Sequence, residues 1–138
     1  MKPTLHIKEY VADRDFEALM QVIESEGEEW DCYSAGANRE KYRKALESCI
    51  TFVAYEGDVL CGYSRSVDDF GLDLYVMDLL VHASHRGKSI GKALLEPLLE
   101  SHPGRQAFVL SDADGYYSKL GYPREGSIFE VIKTNSRV

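Results

Sequence analysis

The amino-acid sequence predicts an α/β fold with a mixed sheet, built as one domain over residues 1–138. A chain of 138 residues has the length of a single domain and can bury a core of its own. Apolar stretches with strand periodicity alternate with stretches whose apolar residues have helical spacing. No repeat, and no linker rich in glycine, serine or proline, divides them. We expect residues 134–138 to form a flexible tail.

The first third of the chain predicts a strand followed by two helices. Residues 5–11 alternate between apolar and polar side chains, which is the pattern of a half-buried strand. Asp13 is a candidate N-cap for a helix with regularly spaced apolar residues, and Gly27 is its candidate stop. Asn38 is a second candidate cap, for a helix that extends through Leu46.

Three strands are predicted in the centre of the chain. Residues 50–55 and 59–67 are apolar stretches joined by Glu56-Gly57-Asp58, a turn in which glycine can adopt a positive φ. They therefore predict a β-hairpin. Residues 74–81 are nearly all apolar, as expected for a strand that is covered on both faces.

The last third predicts a helix, a strand, a short helix and a final strand. The first helix begins near Gly91, and we expect Pro97 to kink it without breaking it, because leucines continue the apolar stripe on both sides. Residues 106–110 predict a strand, 112–120 a short helix and 128–132 a final strand. The predicted order is therefore β-α-α-β-β-β-α-β-α-β.

Charge and cysteine content narrow the class of partner and the compartment. The 16 basic residues against 23 acidic ones give a net charge of −7. This argues against a nucleic-acid or membrane-surface binder and favours a cationic small molecule or a basic peptide. No apolar stretch approaches the roughly 20 residues of a membrane-spanning helix, and the N-terminus lacks the apolar core of a signal peptide. Three cysteines without C-x-x-C spacing indicate reduced thiols in a cytoplasmic protein.

The most informative segment precedes the helix that begins near Gly91. Residues 82–92 contain two glycines and three cations, Arg86, Lys88 and Lys92. Glycines let a backbone approach an anion closely, and the free N–H groups and dipole of a helix start attract it. The segment therefore predicts a pyrophosphate site, the alternative being an ordinary junction with solvated cations. It matches neither a P-loop, which would need glycine at position 82, nor the G-x-G-x-x-G dinucleotide motif.

Two motifs resemble those of the GNAT N-acetyltransferase superfamily. The sequence Arg86-Gly87-Lys88-Ser89-Ile90-Gly91 is similar to the family's Arg/Gln-x-x-Gly-x-Gly/Ala loop, with Ser89 where the family most often has glycine. The sequence Tyr116-Tyr117-Ser118-Lys119-Leu120-Gly121-Tyr122 is similar to the family's Phe-Tyr-x-Lys-x-Gly-Phe helix. The order of the predicted elements also fits, so the resemblance covers residues 5–132.

The resemblance implies an N-acetyltransferase that transfers an acetyl group from acetyl-CoA to a primary amine by direct attack in a ternary complex. In the family the loop holds the pyrophosphate, and the strand before it bulges and splays from its parallel neighbour, freeing backbone groups for the pantetheine arm. The residues expected by resemblance to bind acetyl-CoA are Leu79, Leu80, Val81, Arg86, Gly87, Lys88, Ser89, Ile90, Gly91 and Lys92. The competing hypothesis is a non-catalytic acyl-CoA-binding regulatory module on the same fold.

Tyr117 and Asp78 are the candidate catalytic residues. By resemblance to the family's helix tyrosine, Tyr117 is expected to protonate the leaving thiolate. The alternative is that it packs against the CoA arm or the core, where we expect Tyr116. Asp78 is the only ionisable group in residues 74–81 and could accept the amine proton directly or through water. The alternative, which the residues themselves favour, is a buried ion pair with Arg65.

The acceptor is expected to bind between the first two helices and the sheet. Five acids in residues 24–31 surround Trp30, and acids beside aromatic rings suit a cationic amine. The candidate substrate-binding residues are Glu28, Glu29, Trp30 and Tyr33. The alternative is a solvated helix end. The four histidines form no recognisable ligand set, so no metal is expected. A homodimer is possible through exposed strands at the edge of the sheet.

Overall fold

In the computed structural model, residues 4–133 are described and form one five-stranded sheet with helices packed on it. The strands are β1 (Leu5–Glu9), β2 (Ile50–Glu56), β3 (Val59–Asp68), β4 (Leu74–Val81) and β5 (Ala107–Val109). The α-helices are α1 (Ala12–Ser25), α2 (Asp31–Ser34), α3 (Asn38–Ser48), α4 (Ile90–Glu100) and α5 (Asp114–Lys119). Short 3-10 turns occupy Glu28–Trp30 and Ala83–His85. The tail predicted at residues 134–138 lies outside the described residues.

The strand order in the sheet follows the chain, β1-β2-β3-β4-β5. The first three pairings are antiparallel, and β4 pairs with β5 in parallel. Helix α4 makes the crossover between these two parallel strands, as a parallel pair requires. The mixed α/β fold class predicted from the sequence is therefore confirmed.

Each face of the sheet has its own core. On one face, α1 and α3 pack against the central strands through fully buried side chains that include Leu19, Ile23 and Tyr63. On the other face, α4 packs through Leu94 and Leu98. We call these the α1/α3 core and the α4 core. Burial on both faces explains why the sequence of β4 is almost entirely apolar.

A β-bulge in β4 reverses which face its side chains point to. Arg65 of β3 pairs with Asp78, whereas the next residue along β3 pairs with Val76, so Met77 is the extra residue. Val76 lies in the α4 core, but Leu80 lies in the α1/α3 core. Strict alternation predicts one face for Val76, Asp78 and Leu80. That prediction is wrong because the bulge adds a residue and turns Asp78 toward α2 and α3.

The helix starts differ in detail from the sequence prediction. The N-cap of α1 is Val11 rather than Asp13. The carboxylate that satisfies this end belongs to Asp15, which is fully buried and accepts the Val11 N–H at 2.9 Å. Pro97 lies inside α4, and the helix continues through it to Glu100 as expected.

The strand predicted over residues 128–132 is not formed. The structure assigns no helix or strand between residues 122 and 133. Phe129 is 85% exposed and Val131 is 97% exposed. The β-forming residues of this apolar run predict a strand, but such residues stabilise a strand only where they pack on neighbouring strands. The adjacent edge strand, β5, is only three residues long.

Within residues 4–133, no helix is both long enough and apolar enough to span a bilayer.

Candidate active site

The parallel strands β4 and β5 are paired along only part of their length. Pairing begins at Leu74 with Ala107 and ends at Val76 with Val109, where the β4 bulge begins. From residue 77 to 81, β4 has no pairing partner on that side among the described residues. Because β5 ends at Val109, the β4 backbone beyond the bulge is unpaired on that side, and an extended ligand arm can hydrogen-bond to it like an added strand. We call this unpaired edge the β4–β5 gap.

The open end of this gap leads into the loop that begins α4. Arg86 is anchored there, since its Nε donates to the carbonyl oxygen of Val81 at 2.9 Å. Gly87 has a φ of 83° and Ser89 a φ of 62°. The left-handed backbone at Ser89 is the conformation that glycine adopts most readily, which accounts for the glycine usual at this motif position. The chain then enters α4, whose first N–H groups lack intrahelical partners and can meet an anion. The Lys92 N–H among them donates to the Tyr116 hydroxyl.

Two cations of the loop are paired with carboxylates from distant parts of the chain. Arg86 donates through Nη2 to both carboxylate oxygens of Glu26, one of them at 2.7 Å. Lys88 Nζ lies 3.3 Å from Glu56 Oε1, which also contacts His85 Nδ1 at 2.7 Å. Neither pairing could be predicted from the sequence, because the partners are 60 and 32 residues apart. No local spacing could have indicated them.

The side chains of the β4 and α4 residues predicted to bind the donor do not all face the gap. Leu79 and Val81 are half-buried against the α4 core, on the side where β4 leaves β5. Leu80 points the other way, into the α1/α3 core, so only its backbone faces the gap. Ile90 is buried in the first turn of α4, whereas Lys92 is exposed on it.

Tyr116 lies over the start of α4 rather than in the core. It is 41% exposed, and its hydroxyl stands against Gly91 so closely that a Cβ there would collide with it. The same Cβ would lie 3.6 Å from a methyl of Leu79. The predicted core position of Tyr116 is therefore wrong. Gly91 has no side chain, so the Tyr116 hydroxyl can lie against the backbone at the start of α4. This close approach explains why position 91, the last position of the loop motif, is glycine.

Tyr117 packs on the α4 core beside the gap. Its ring is edge-on to Tyr116 at 5.1 Å and stacked on Tyr122 at 6.4 Å between centroids. Burial, with nearby Tyr116 and Asp112, raises the pKa of Tyr117 to about 12. Within the described residues its hydroxyl has no hydrogen-bond partner, so it is a protonated donor available to a ligand.

Asp78 is the centre of a buried hydrogen-bond network. Its Oδ2 accepts from Arg65 Nε at 2.6 Å and from the Tyr42 hydroxyl at 2.6 Å. Its Oδ1 accepts from the Tyr33 hydroxyl at 2.9 Å. Burial raises the pKa of Tyr33 to about 12, with the Asp78 charge adding to it. The ion pair with Arg65, one of the alternatives from the sequence, is present, and both carboxylate oxygens are engaged.

The predicted acceptor residues are separated by the structure. Trp30 and Tyr33 are partly buried against the α1/α3 core, with ring centroids 5.7 Å apart. Tyr33 stacks on Tyr42 at 4.3 Å and reaches Asp78 through its hydroxyl. Glu28 and Glu29 are exposed. The two aromatic residues are therefore connected to the buried network, while the acids face solvent.

Comparison with known proteins identifies the family. Residues 47–124, more than half of the chain, match the family model described as Acetyltransferase (GNAT) domain. This range includes the β4–β5 gap, the loop and α5. No curated protein matches the chain significantly.

Several solved structures share the fold. An aminoglycoside acetyltransferase from an uncultured soil sample is 24% identical with a TM-score of 0.71, covering 95% of this chain and 99% of that one. A second soil aminoglycoside acetyltransferase, solved with sisomicin, is 19% identical with a TM-score of 0.69, covering 96% and 97%. A GNAT family acetyltransferase from Streptococcus pneumoniae is 22% identical with a TM-score of 0.66, covering 96% and 100%. The family match over more than half of the chain shows that the chain belongs to the GNAT acetyltransferases.

Proposed function

We propose that the protein transfers an acetyl group from acetyl-CoA to a primary amine of a cationic small molecule or peptide. The observation that supports this best is the gap between β4 and β5 ending at the Arg86 loop and the start of α4. A strand-like pantetheine arm and a pyrophosphate need these two features side by side. Acetyl-CoA is the proposed co-substrate, and no metal enters the proposed reaction.

In the proposed complex, the loop and β4 hold the donor. The pyrophosphate lies against the backbone of residues 87–91, and Arg86, Lys88 and Lys92 neutralise its charge. Both Arg86 and Lys88 must exchange their carboxylate partners, Glu26 and Glu56, for phosphate oxygens. The backbone near residues 79–81 holds the pantetheine arm and polarises the thioester carbonyl.

The proposed reaction is direct aminolysis. The neutral amine nitrogen attacks the thioester carbonyl, the C–S bond breaks, and the thiolate leaves with the bonding electrons. A phenol whose pKa is about 12 is a weaker acid than a thiol of about 8.5. We therefore assign Tyr117 a hydrogen bond that stabilises the developing thiolate without giving up its proton; CoA leaves as the thiolate and takes its proton from solvent.

Removal of the amine proton is assigned to Tyr33 and Asp78 acting in series. Asp78 cannot meet the amine itself while Arg65 and Tyr42 hold one oxygen and Tyr33 the other. Tyr33 is partly exposed and donates to Asp78. The Tyr33 hydroxyl can accept the amine proton while the hydroxyl proton of Tyr33 passes to the Asp78 carboxylate. Asp78 thus serves as the base through Tyr33, and Arg65 holds it in place.

The acceptor is proposed to be polycationic. The chain has a net charge of −7, Trp30 and Tyr33 are partly exposed aromatic residues, and the neighbouring Glu28 and Glu29 are exposed acids. Two of the similar structures are named aminoglycoside acetyltransferases, which makes aminoglycosides the first acceptors to test.

The test is CoA release measured with a thiol reagent across three amine classes: sisomicin, spermidine and a lysine peptide. We expect release that depends on acetyl-CoA and on one amine class. Tyr117→Phe should lower kcat by about a hundredfold, while the matched control Tyr122→Phe should not. Tight acetyl-CoA binding with no release by any amine would contradict the proposal and favour the regulatory acyl-CoA-binding module.

A further inference from the structure

Three side chains with metal-binding atoms meet at the end of the sheet beside the α4 loop. Glu56 ends β2, Cys61 lies in β3, and His85 ends the 3-10 turn after β4. Their nearest ligand atoms all lie within 4.8 Å of one another, and Glu56 Oε1 is 2.7 Å from His85 Nδ1. Because the three residues come from separate elements, the spacing of the histidines along the chain does not indicate this cluster.

A second β-bulge brings Cys61 into the cluster. Tyr55 of β2 pairs with Leu60, and Ala54 pairs with Gly62, so Cys61 is the extra residue on β3. Bulges re-aim a side chain and leave its backbone free for other partners. Here the Cys61 carbonyl oxygen accepts the N–H of His82 at 2.7 Å, which ties the bulge to the turn that contains His85.

The cluster is shielded from solvent. Cys61 is fully buried, and the side chains of Glu56 and His85 are only 10% and 21% exposed. Burial raises the pKa of the Cys61 thiol. A bound ion must therefore offset the cost of deprotonating this buried thiol, which a direct bond between a divalent cation and the sulfur does.

The donor set selects the class of metal. One sulfur, one imidazole nitrogen and one carboxylate oxygen suit zinc-like ions, whereas calcium and magnesium prefer oxygen alone. Bonds of about 2.0–2.3 Å to a tetrahedral ion would place the donor atoms roughly 3.3–3.7 Å apart. Side-chain movements of about 1 Å reach that geometry from the observed separations, and such movements are within rotamer adjustment.

We propose that Glu56, Cys61 and His85 form a binding site for a zinc-class divalent cation. The ion takes the thiolate of Cys61, the Nδ1 of His85 and a carboxylate oxygen of Glu56, with water as the fourth ligand. The Cys61 proton leaves to solvent on binding. Lys88, which contacts Glu56 and whose side chain is 54% exposed, moves away into solvent. The site does not depend on the proposed acetyl transfer.

The test is a titration of the reduced full-length protein with Co²⁺, followed by displacement with Zn²⁺. Bound Co²⁺ should give a thiolate-to-cobalt charge-transfer band and the intense visible bands of a tetrahedral site, with one ion per chain. Cys61→Ser should abolish the charge-transfer band. Glu56→Gln and His85→Ala should each weaken binding by at least tenfold.

Matched controls separate this site from adventitious binding. Cys32→Ser and Cys49→Ser remove the other two thiols, and His102→Ala removes a histidine outside the cluster. All three should bind Co²⁺ as the wild type does, and circular dichroism checks the folding of every variant. Absence of the charge-transfer band in the wild type would overturn the proposal, as would a band that survives Cys61→Ser. So would unchanged affinity in both the Glu56 and His85 variants.

Discussion

Replacement of Glu26 by glutamine should tighten the binding of acetyl-CoA. Both oxygens of the Glu26 carboxylate accept hydrogen bonds from the Arg86 guanidinium. Arg86 is therefore not free to bind a phosphate. The ligand must break this pair before Arg86 can bind it. Glutamine keeps the size of the side chain but removes the charge that competes with the ligand.

The exposure of the pair limits the size of this effect. The Arg86 side chain is 50% exposed and that of Glu26 is 19% exposed. Ion pairs near the surface contribute up to about 1 kcal/mol, which corresponds to about fivefold in a dissociation constant. We therefore expect Glu26→Gln to lower the Kd for acetyl-CoA by about two- to fivefold, and the gain to shrink at high salt.

Isothermal titration calorimetry at two salt concentrations measures the change. Glu40→Gln is the matched control, because it removes one acidic charge from an exposed position on α3. The control should bind as the wild type does. Weaker binding by Glu26→Gln than by the wild type would show instead that Glu26 holds Arg86 in the position that the ligand needs.

Three further predictions concern strain, proton donation and the buried network. Ser89→Gly should raise the free energy of unfolding by up to about 1 kcal/mol, because glycine adopts the 62° φ without strain; an unchanged or lower value in urea denaturation would contradict this. Because the Tyr117 pKa is raised to about 12, the hydroxyl stays protonated at lower pH, and kcat should not fall with pH between 8 and about 11. A fall in that range in the wild type but not in Tyr117→Phe would mean that the hydroxyl ionises near its ordinary pKa. Asp78→Asn should destabilise the fold by about 3–5 kcal/mol, because it leaves the Arg65 charge buried without its partner. Combining it with Arg65→Met should recover most of that loss, and no recovery in thermal denaturation would contradict the argument.

The central strands were predictable because their sequence signal is strong and local. The predicted residues 50–55, 59–67 and 74–81 agree with β2, β3 and β4 to within one residue at each end. Long apolar runs bounded by turns leave few alternatives for a buried strand. The loop before α4 was recognisable for a similar reason, since glycines and cations must be close together in sequence to surround an anion at a helix start.

The bulges and the distant partners were not predictable. Nothing at Met77 or Cys61 distinguishes an extra strand residue from a paired one, yet each bulge decides what its neighbours contact. Glu26 meets Arg86 only because α1 ends beside the loop. The final strand predicted over 128–132 failed for the opposite reason, because apolar composition alone does not supply the neighbour that a strand needs.

Calorimetric titration with acetyl-CoA tests directly whether the β4–β5 gap and the loop before α4 bind this donor. The wild type should bind one equivalent with micromolar affinity. Arg86→Ala should bind about tenfold more weakly, because it loses a charge-assisted contact to phosphate, and Arg124→Ala, which removes an exposed arginine after α5, should bind normally. No binding by the wild type at millimolar acetyl-CoA would contradict the claim.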